Sequence, residues 1–112
     1  MYSLHHLDTL ADKLDVNYSV FTKSGTVAIW LALKSLDLRD ENIIVPANVC
    51  FVIVFAIILS GNQPLVVDIN NDGGGINIGC LSNIEDSKVG AVIYPYMYGD
   101  TGNIMNVKNV CS

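Results

Sequence analysis

The sequence predicts an α/β fold, a mostly parallel sheet with helices flanking it on both faces. Short apolar runs with almost no polar alternation, the pattern of strands buried on both sides, fall at residues 42–45, 65–68 and 91–94. The segments between them have helical spacing or helical length. The 112-residue chain is also 51% hydrophobic and only 15% charged, with a mean hydropathy of +0.42. That composition excludes disorder, and its low charge fraction suggests buried elements or a surface meant to be covered by something else.

Each element has a local reason. Leu4, Leu7, Leu10, Ala11 and Leu14 recur at helical spacing with Asp8, Asp12, Lys13 and Asp15 on the other face, so residues 4–15 read as an amphipathic helix. Residues 18–22, rich in aromatic and β-branched types, read as a short strand. After Ser24-Gly25-Thr26, the residues Ala28, Ile29, Leu31, Ala32, Leu33 and Leu36 form an apolar helix that stops near 37–41. Residues 42–45 are a strand closed by Pro46, and the apolar run 49–59 is a buried helix with Asn48 as its N-cap and Gly61 just past its end. A strand at 65–68 follows, then a loop at 70–79 that its three consecutive glycines make mobile. Residues 81–87 supply a helical turn or two, 91–94 a strand, 96–103 a loop and 104–111 the opening of a helix.

The charge and cysteine patterns narrow the function. Eleven acidic against six basic side chains give a net charge of −5 and a pI near 4.6, the wrong sign for a phosphate backbone, so no nucleic-acid partner is expected. Cys50, Cys80 and Cys111 are odd in number and widely spaced, which fits a reducing cytoplasm rather than a disulfide framework. His5 and His6 have no cysteine near them, so no metal site is expected, and they read as surface residues. Residues 1–10 lack a secretory pattern, and the eleven apolar residues 49–59 fall short of the roughly 20 a membrane span needs. A cytoplasmic protein with no membrane partner is the expectation.

The chemistry points to one turn. Ser24-Gly25-Thr26 lies between the expected first strand and a helix, where unpaired amides and the positive helix end attract an anion. Gly25 allows close backbone approach and the hydroxyls of Ser24 and Thr26 add donors, which favours a phosphate; an ordinary serine N-cap is the simpler alternative. Gly73-Gly74-Gly75 lacks the spacing of a phosphate loop. Asp68 ends a strand where ligands gather in open α/β sheets, although a turn-capping aspartate is the commoner occupant, and Tyr94, Tyr96 and Tyr98 cluster before Gly99, where aromatic packing explains them at least as well as a binding wall. No serine, histidine and acid arrangement suggests a hydrolase.

The order of segments adds a resemblance. Residues 21–33 (FTKSGTVAIWLAL), 44–48 (IVPAN), 61–69 (GNQPLVVDI) and 94–99 (YPYMYG) fall in sequence as they do in the DegT/DnrJ/EryC1/StrS family. These are sugar aminotransferases that use pyridoxal 5'-phosphate on an aspartate-aminotransferase-like fold (fold type I). The resemblance covers about residues 4–112 and implies that residues 1–112 are the N-terminal part of that family's large domain, an incomplete one. It implies that Ser24, Gly25 and Thr26 hold the cofactor phosphate and that Cys50 takes the place of an aromatic residue stacked on the pyridine ring. Phe51, one residue later on a helix, points elsewhere. Tyr96 stands where the family often has histidine.

Transamination needs a lysine to form a Schiff base and an acid for the pyridinium nitrogen. Neither family motif occurs here: Lys13, Lys23, Lys34, Lys88 and Lys108 lie outside it, so no catalytic residue is assigned and the chain alone is expected to be inactive. The resemblance implies a homodimeric parent that moves an amino group, typically from glutamate, to a nucleotide-linked keto-sugar in polysaccharide biosynthesis. A small Rossmann-like or flavodoxin-like phosphate-binding module and an amino-acid aminotransferase of the same fold are the alternatives. If the family reading holds, the three later strands pair in parallel and 18–22 stays out of the sheet; the compact module needs all four together.

Overall fold

The computed structural model describes residues 4–84, 88–100 and 102–111, with side chains from residue 9 onward. Its elements are α1 (Leu4–Leu14), α2 (Gly25–Ser35), β1 (Asn42–Pro46), α3 (Phe51–Ser60), β2 (Gln63–Val67), α4 (Ile78–Leu81), β3 (Val89–Val92) and α5 (Ile104–Val110). The strands form one parallel sheet in the order β2-β1-β3, with β1 in the middle. Residues 18–22 form no strand: Tyr18, Val20 and Phe21 are exposed. Their β-favouring composition counts for little without a neighbouring ladder.

Alternation along β1 builds the core. Ile43 and Val45 face α2 and α3 with Leu33 and Ile57, while Ile44 faces α4 and α5 with Val67, Ile76, Leu81 and Val107. Both faces of the sheet are therefore covered, as the near-continuous apolar strands require.

Several boundaries move for identifiable reasons. Cys50, not Asn48, is the N-cap of α3, because residues 46–49 close a turn through the Val49 N–H to Pro46 O bond. The Asn48 amide is used elsewhere, donating from Nδ2 to the Gly73 carbonyl at 3.2 Å. Gly61 does end α3, at φ +88°, with its N–H on Ile58 O. β2 starts two residues earlier than expected and takes in Pro64, which an edge strand tolerates. β3 also starts two residues early, and α4 starts at Ile78 on an Asn77 cap; part of the expected 81–87 turn, residues 85–87, lies outside the described residues, as do the side chains of His5 and His6.

The loop after β2 is not loose. Asn70 N–H donates to Gly75 O, Gly73 N–H to Asn70 O, and Asn70 Nδ2 to Gly74 O, and Ile69 bridges Ile76 in antiparallel fashion. Ile76 is fully buried. The three glycines thus fit a tightly folded hairpin rather than a mobile segment.

The ends of α2 and α3 meet at the amino edge of the sheet. Asn62 is buried there, donating to Leu38 O and Ser60 Oγ and accepting from the Glu41 N–H. Asp40 N–H also donates to Gly61 O. Since both helices finish at this edge, both begin at the opposite, carboxyl edge. Among the described residues no helix is long and apolar enough to cross a membrane.

Candidate functional site

The carboxyl edge of the sheet is where an open α/β fold takes a ligand, beside the strand at which successive connections leave in opposite directions. That strand is β1: α3 carries the chain to β2 on one side of it, and the next connection crosses to β3 on the other. The turn Ala47–Cys50, the start of α2 and the segment after β3 all lie on this edge.

At the start of α2, Ser24 is extended (φ −159°, ψ 162°), its Oγ accepts from the Val27 N–H at 3.3 Å, and its carbonyl accepts from the Ala28 N–H at 3.0 Å. Thr22 Oγ1 donates to the same carbonyl at 2.8 Å. The amides of Gly25 and Thr26, first in the helix, have no acceptor within it. A Cβ placed on Gly25 has nothing within 4 Å, so the approach to these amides is open. Because the Ser24 oxygen is already accepting, its own proton remains to be donated outward.

Cys50 is exposed at the start of α3 and makes no side-chain capping bond. Phe51 points to the outer face of the helix, where its ring meets Phe55 edge-on with centroids 5.8 Å apart. Cys50 is thus the last residue of the β1 turn and Phe51 the first of α3. Asp68 is exposed, and its carbonyl accepts from the Asn77 N–H. Tyr98 is exposed at φ +57° in a short 3-10 turn.

Sequence reasoning missed the framework behind these groups. Tyr94 Oη donates to Asn103 Oδ1 at 2.8 Å and accepts from the Asn103 N–H at 3.2 Å, while Asn103 Nδ2 donates to Ile76 O at 2.9 Å. A Cβ on Gly75 (φ +62°) collides with Tyr94 Oη, and one on Gly102 comes within 2.7 Å of it. This clamp joins the end of β3, the β2 loop and the start of α5. Asn48 links the β1 turn to the same loop, and its Oδ1 is buried with no partner among the described residues. The Pro-Ala-Asn turn marked Asn48 as special but not for this role; nothing in the spacing pairs Tyr94 with Asn103.

Comparison with known proteins places this geometry. Residues 6–112 match the DegT/DnrJ/EryC1/StrS aminotransferase family. The chain belongs to that family. It is 24% identical over 102 residues to the GDP-perosamine synthase of Vibrio cholerae, covering 90% of this chain and 28% of that one. It is 29% identical to the 3-oxo-glucose-6-phosphate:glutamate aminotransferase of Bacillus subtilis, covering 92% of this chain and 24% of that one. Among solved structures, NtdA from Bacillus subtilis with bound cofactor PMP superposes with a TM-score of 0.87 at 25% identity, covering 95% of this chain and 25% of that one. The chain thus spans about a quarter of the length of these relatives. The fold is that of the pyridoxal-phosphate sugar aminotransferases, and with three strands in the sheet and none at 18–22 the compact four-strand module is not supported.

The residues present fit one end of such a cofactor. Two outward amides, two hydroxyls and an unobstructed glycine at the start of an eleven-residue helix suit a phosphate dianion. The ring has less: Cys50 offers only a small polarisable sulfur, and Lys13, Lys23, Lys34, Lys88 and Lys108 are all exposed.

Proposed function

We propose that residues 1–112 are the phosphate-anchoring, N-terminal part of the large domain of a pyridoxal-phosphate-dependent aminotransferase that acts on nucleotide-linked keto-sugars, with glutamate as amino donor. The observation that carries this reading is the open start of α2 on the ligand-binding edge of the sheet, in a chain of this family. The named relatives support the substrate class: one is a GDP-perosamine synthase and another a glutamate-dependent aminotransferase of an oxidised sugar phosphate.

When bound, the cofactor supplies an electron-withdrawing ring that lets an amino group pass between donor and acceptor. This chain's own part is to fix the phosphate. The Gly25 and Thr26 amides would donate to its oxygens, the Ser24 proton would add a third bond while the oxygen holds the helix cap, and Thr26 Oγ1 would add a fourth. The α2 dipole favours the dianion. Cys50, at the start of α3, would lie against the ring in place of an aromatic residue. Covalent attachment and protonation of the ring nitrogen are not assigned to any residue of this chain.

Titration of residues 1–112 with pyridoxal phosphate and with pyridoxal, followed by Trp30 fluorescence, tests the reading. Weak saturable binding that needs the phosphate, and that is lost in Gly25→Val, is expected. Borohydride reduction and peptide mapping should find the cofactor on no single lysine in stoichiometric amount. Equal binding of pyridoxal, indifference to Gly25→Val, or stoichiometric trapping on one lysine refutes it.

A further inference from the structure

The turn between β1 and α3 is held to the next loop by one side chain. The Ala47 N–H donates to Val67 O at 2.9 Å, ending the ladder to β2, and the Val49 N–H closes the turn on Pro46 O at 3.3 Å. Beyond these bonds and those that open α3, the hydrogen bond that secures residues 48–50 among the described residues is Asn48 Nδ2 to Gly73 O at 3.2 Å. Its far end is firm. The Gly73 N–H donates to Asn70 O at 2.9 Å and Asn70 Nδ2 to Gly74 O at 3.0 Å, while Tyr94 and Asn103 close on Gly75. The bond carries a penalty, because Asn48 Oδ1 is buried with no partner among the described residues. Turning the amide over would set Oδ1 against the Gly73 carbonyl, acceptor to acceptor, and leave Nδ2 unpaired in its place. The arrangement therefore gives little net stability; what it gives is position. Two residues on, Cys50 is exposed and makes no side-chain capping bond that would fix it.

We propose that Asn48 is a positioning residue for the cofactor ring: its bond to Gly73 latches the turn at residues 46–49 to the loop after β2 and so holds Cys50 on the carboxyl edge of the sheet, the edge at which α2 begins. The inference rests on the cofactor reading above and adds to it the residue that sets where the ring contact stands. A sulfur gains from a ring only at about 5 Å, and a cysteine has no broad face to make up for a displaced turn. Releasing the latch moves Cys50 but leaves Ser24, Gly25 and Thr26 in place, because residues 24–27 make only local hydrogen bonds. Ring contact and phosphate contact are therefore separable.

Iodoacetamide alkylation of residues 1–112, read at Cys50 and Cys111 by peptide mapping, tests this with 4'-deoxypyridoxine 5'-phosphate, which keeps the ring and the phosphate but has no aldehyde to react with surface lysines. Calorimetry gives the affinity of that probe and of inorganic phosphate. In the unsubstituted chain the probe should slow alkylation of Cys50 and not of Cys111, and inorganic phosphate should slow neither. Asn48→Leu, close in shape, uncharged and without the Nδ2 donor, should abolish the protection and weaken the probe about two- to tenfold, the value of a sulfur–ring contact, with inorganic phosphate bound as before. Asn48→Ala should do the same, and it serves alone if circular dichroism shows Asn48→Leu unfolded. Val107→Ala, which opens a core cavity on the α5 side of the sheet, lowers stability without touching the turn and should leave the protection intact. Native-like protection in a folded Asn48 variant, equal weakening of probe and inorganic phosphate, or the same loss of protection in Val107→Ala overturns the proposal. If the unsubstituted chain binds probe and phosphate with Cys50 unprotected, the proposal fails and the phosphate site stands; if it binds neither, both fail.

Discussion

Replacing Gly75 by alanine tests whether the loop after β2 is as tightly held as its hydrogen bonds indicate. The backbone there sits at φ +62°, which costs an L residue about 1 kcal/mol. The new Cβ also collides with Tyr94 Oη and comes within 2.8 Å of Asn103 Oδ1, so both Tyr94–Asn103 bonds must give way. At about 1 kcal/mol net for each bond, the total loss is about 2–4 kcal/mol. Gly73→Ala is the matched control: φ is +79°, but nothing lies within 4 Å of its added Cβ, so only the backbone cost of about 1 kcal/mol applies. Urea unfolding followed by far-UV circular dichroism gives both values. The difference between the two variants, about 1–3 kcal/mol, isolates the clamp. Equal destabilisation by the two substitutions refutes the reasoning, since the contacts would then contribute nothing beyond the dihedral angle.

Two further outcomes follow from the polar anchors. Asn62→Ala deprives Leu38 O and the Glu41 N–H of their partner at a buried position and should cost about 2–4 kcal/mol in the same assay, with a loss below 1 kcal/mol counting against the anchor. Ser24→Ala removes the α2 cap and should cost about 1 kcal/mol, with Ser24→Gly recovering most of it; a neutral Ser24→Ala places the cap elsewhere.

What the sequence disclosed was what is decided locally. The α2 start was legible because a serine, a glycine and a run of helix formers act within four residues of one another, and the end of α3 because Gly61 is the residue that most easily takes φ +88°. The strands at 42–46, 63–67 and 89–92 were legible in kind though not in boundary, since an apolar run shows burial but not where a neighbour's hydrogen bonds stop. What depends on distant partners was hidden. Residues 18–22 have strand composition, yet strand formation requires another strand beside them. Asn48 looked like a cap because its partner, Gly73, is 25 residues away. The three glycines looked mobile because their freedom is intrinsic, whereas Gly74 and Gly75 are hemmed in by Asp100, Tyr94 and Asn103 and Gly73 is held by its N–H on Asn70 O.

The knot at Asn62 gives α2 the mechanics of a lever. Its trailing end is fixed through Leu38 and Asp40 to Asn62, Gly61 and the start of β2, while residues 24–27 at its leading end hold only local bonds. Eleven residues make an arm of about 16 Å, so a tilt of about 5° about the fixed end carries Ser24 through roughly 1.4 Å. That is enough to make or break a hydrogen bond. A small adjustment in packing between α2 and α3 is thereby magnified at the start of α2, where the proposed phosphate site lies.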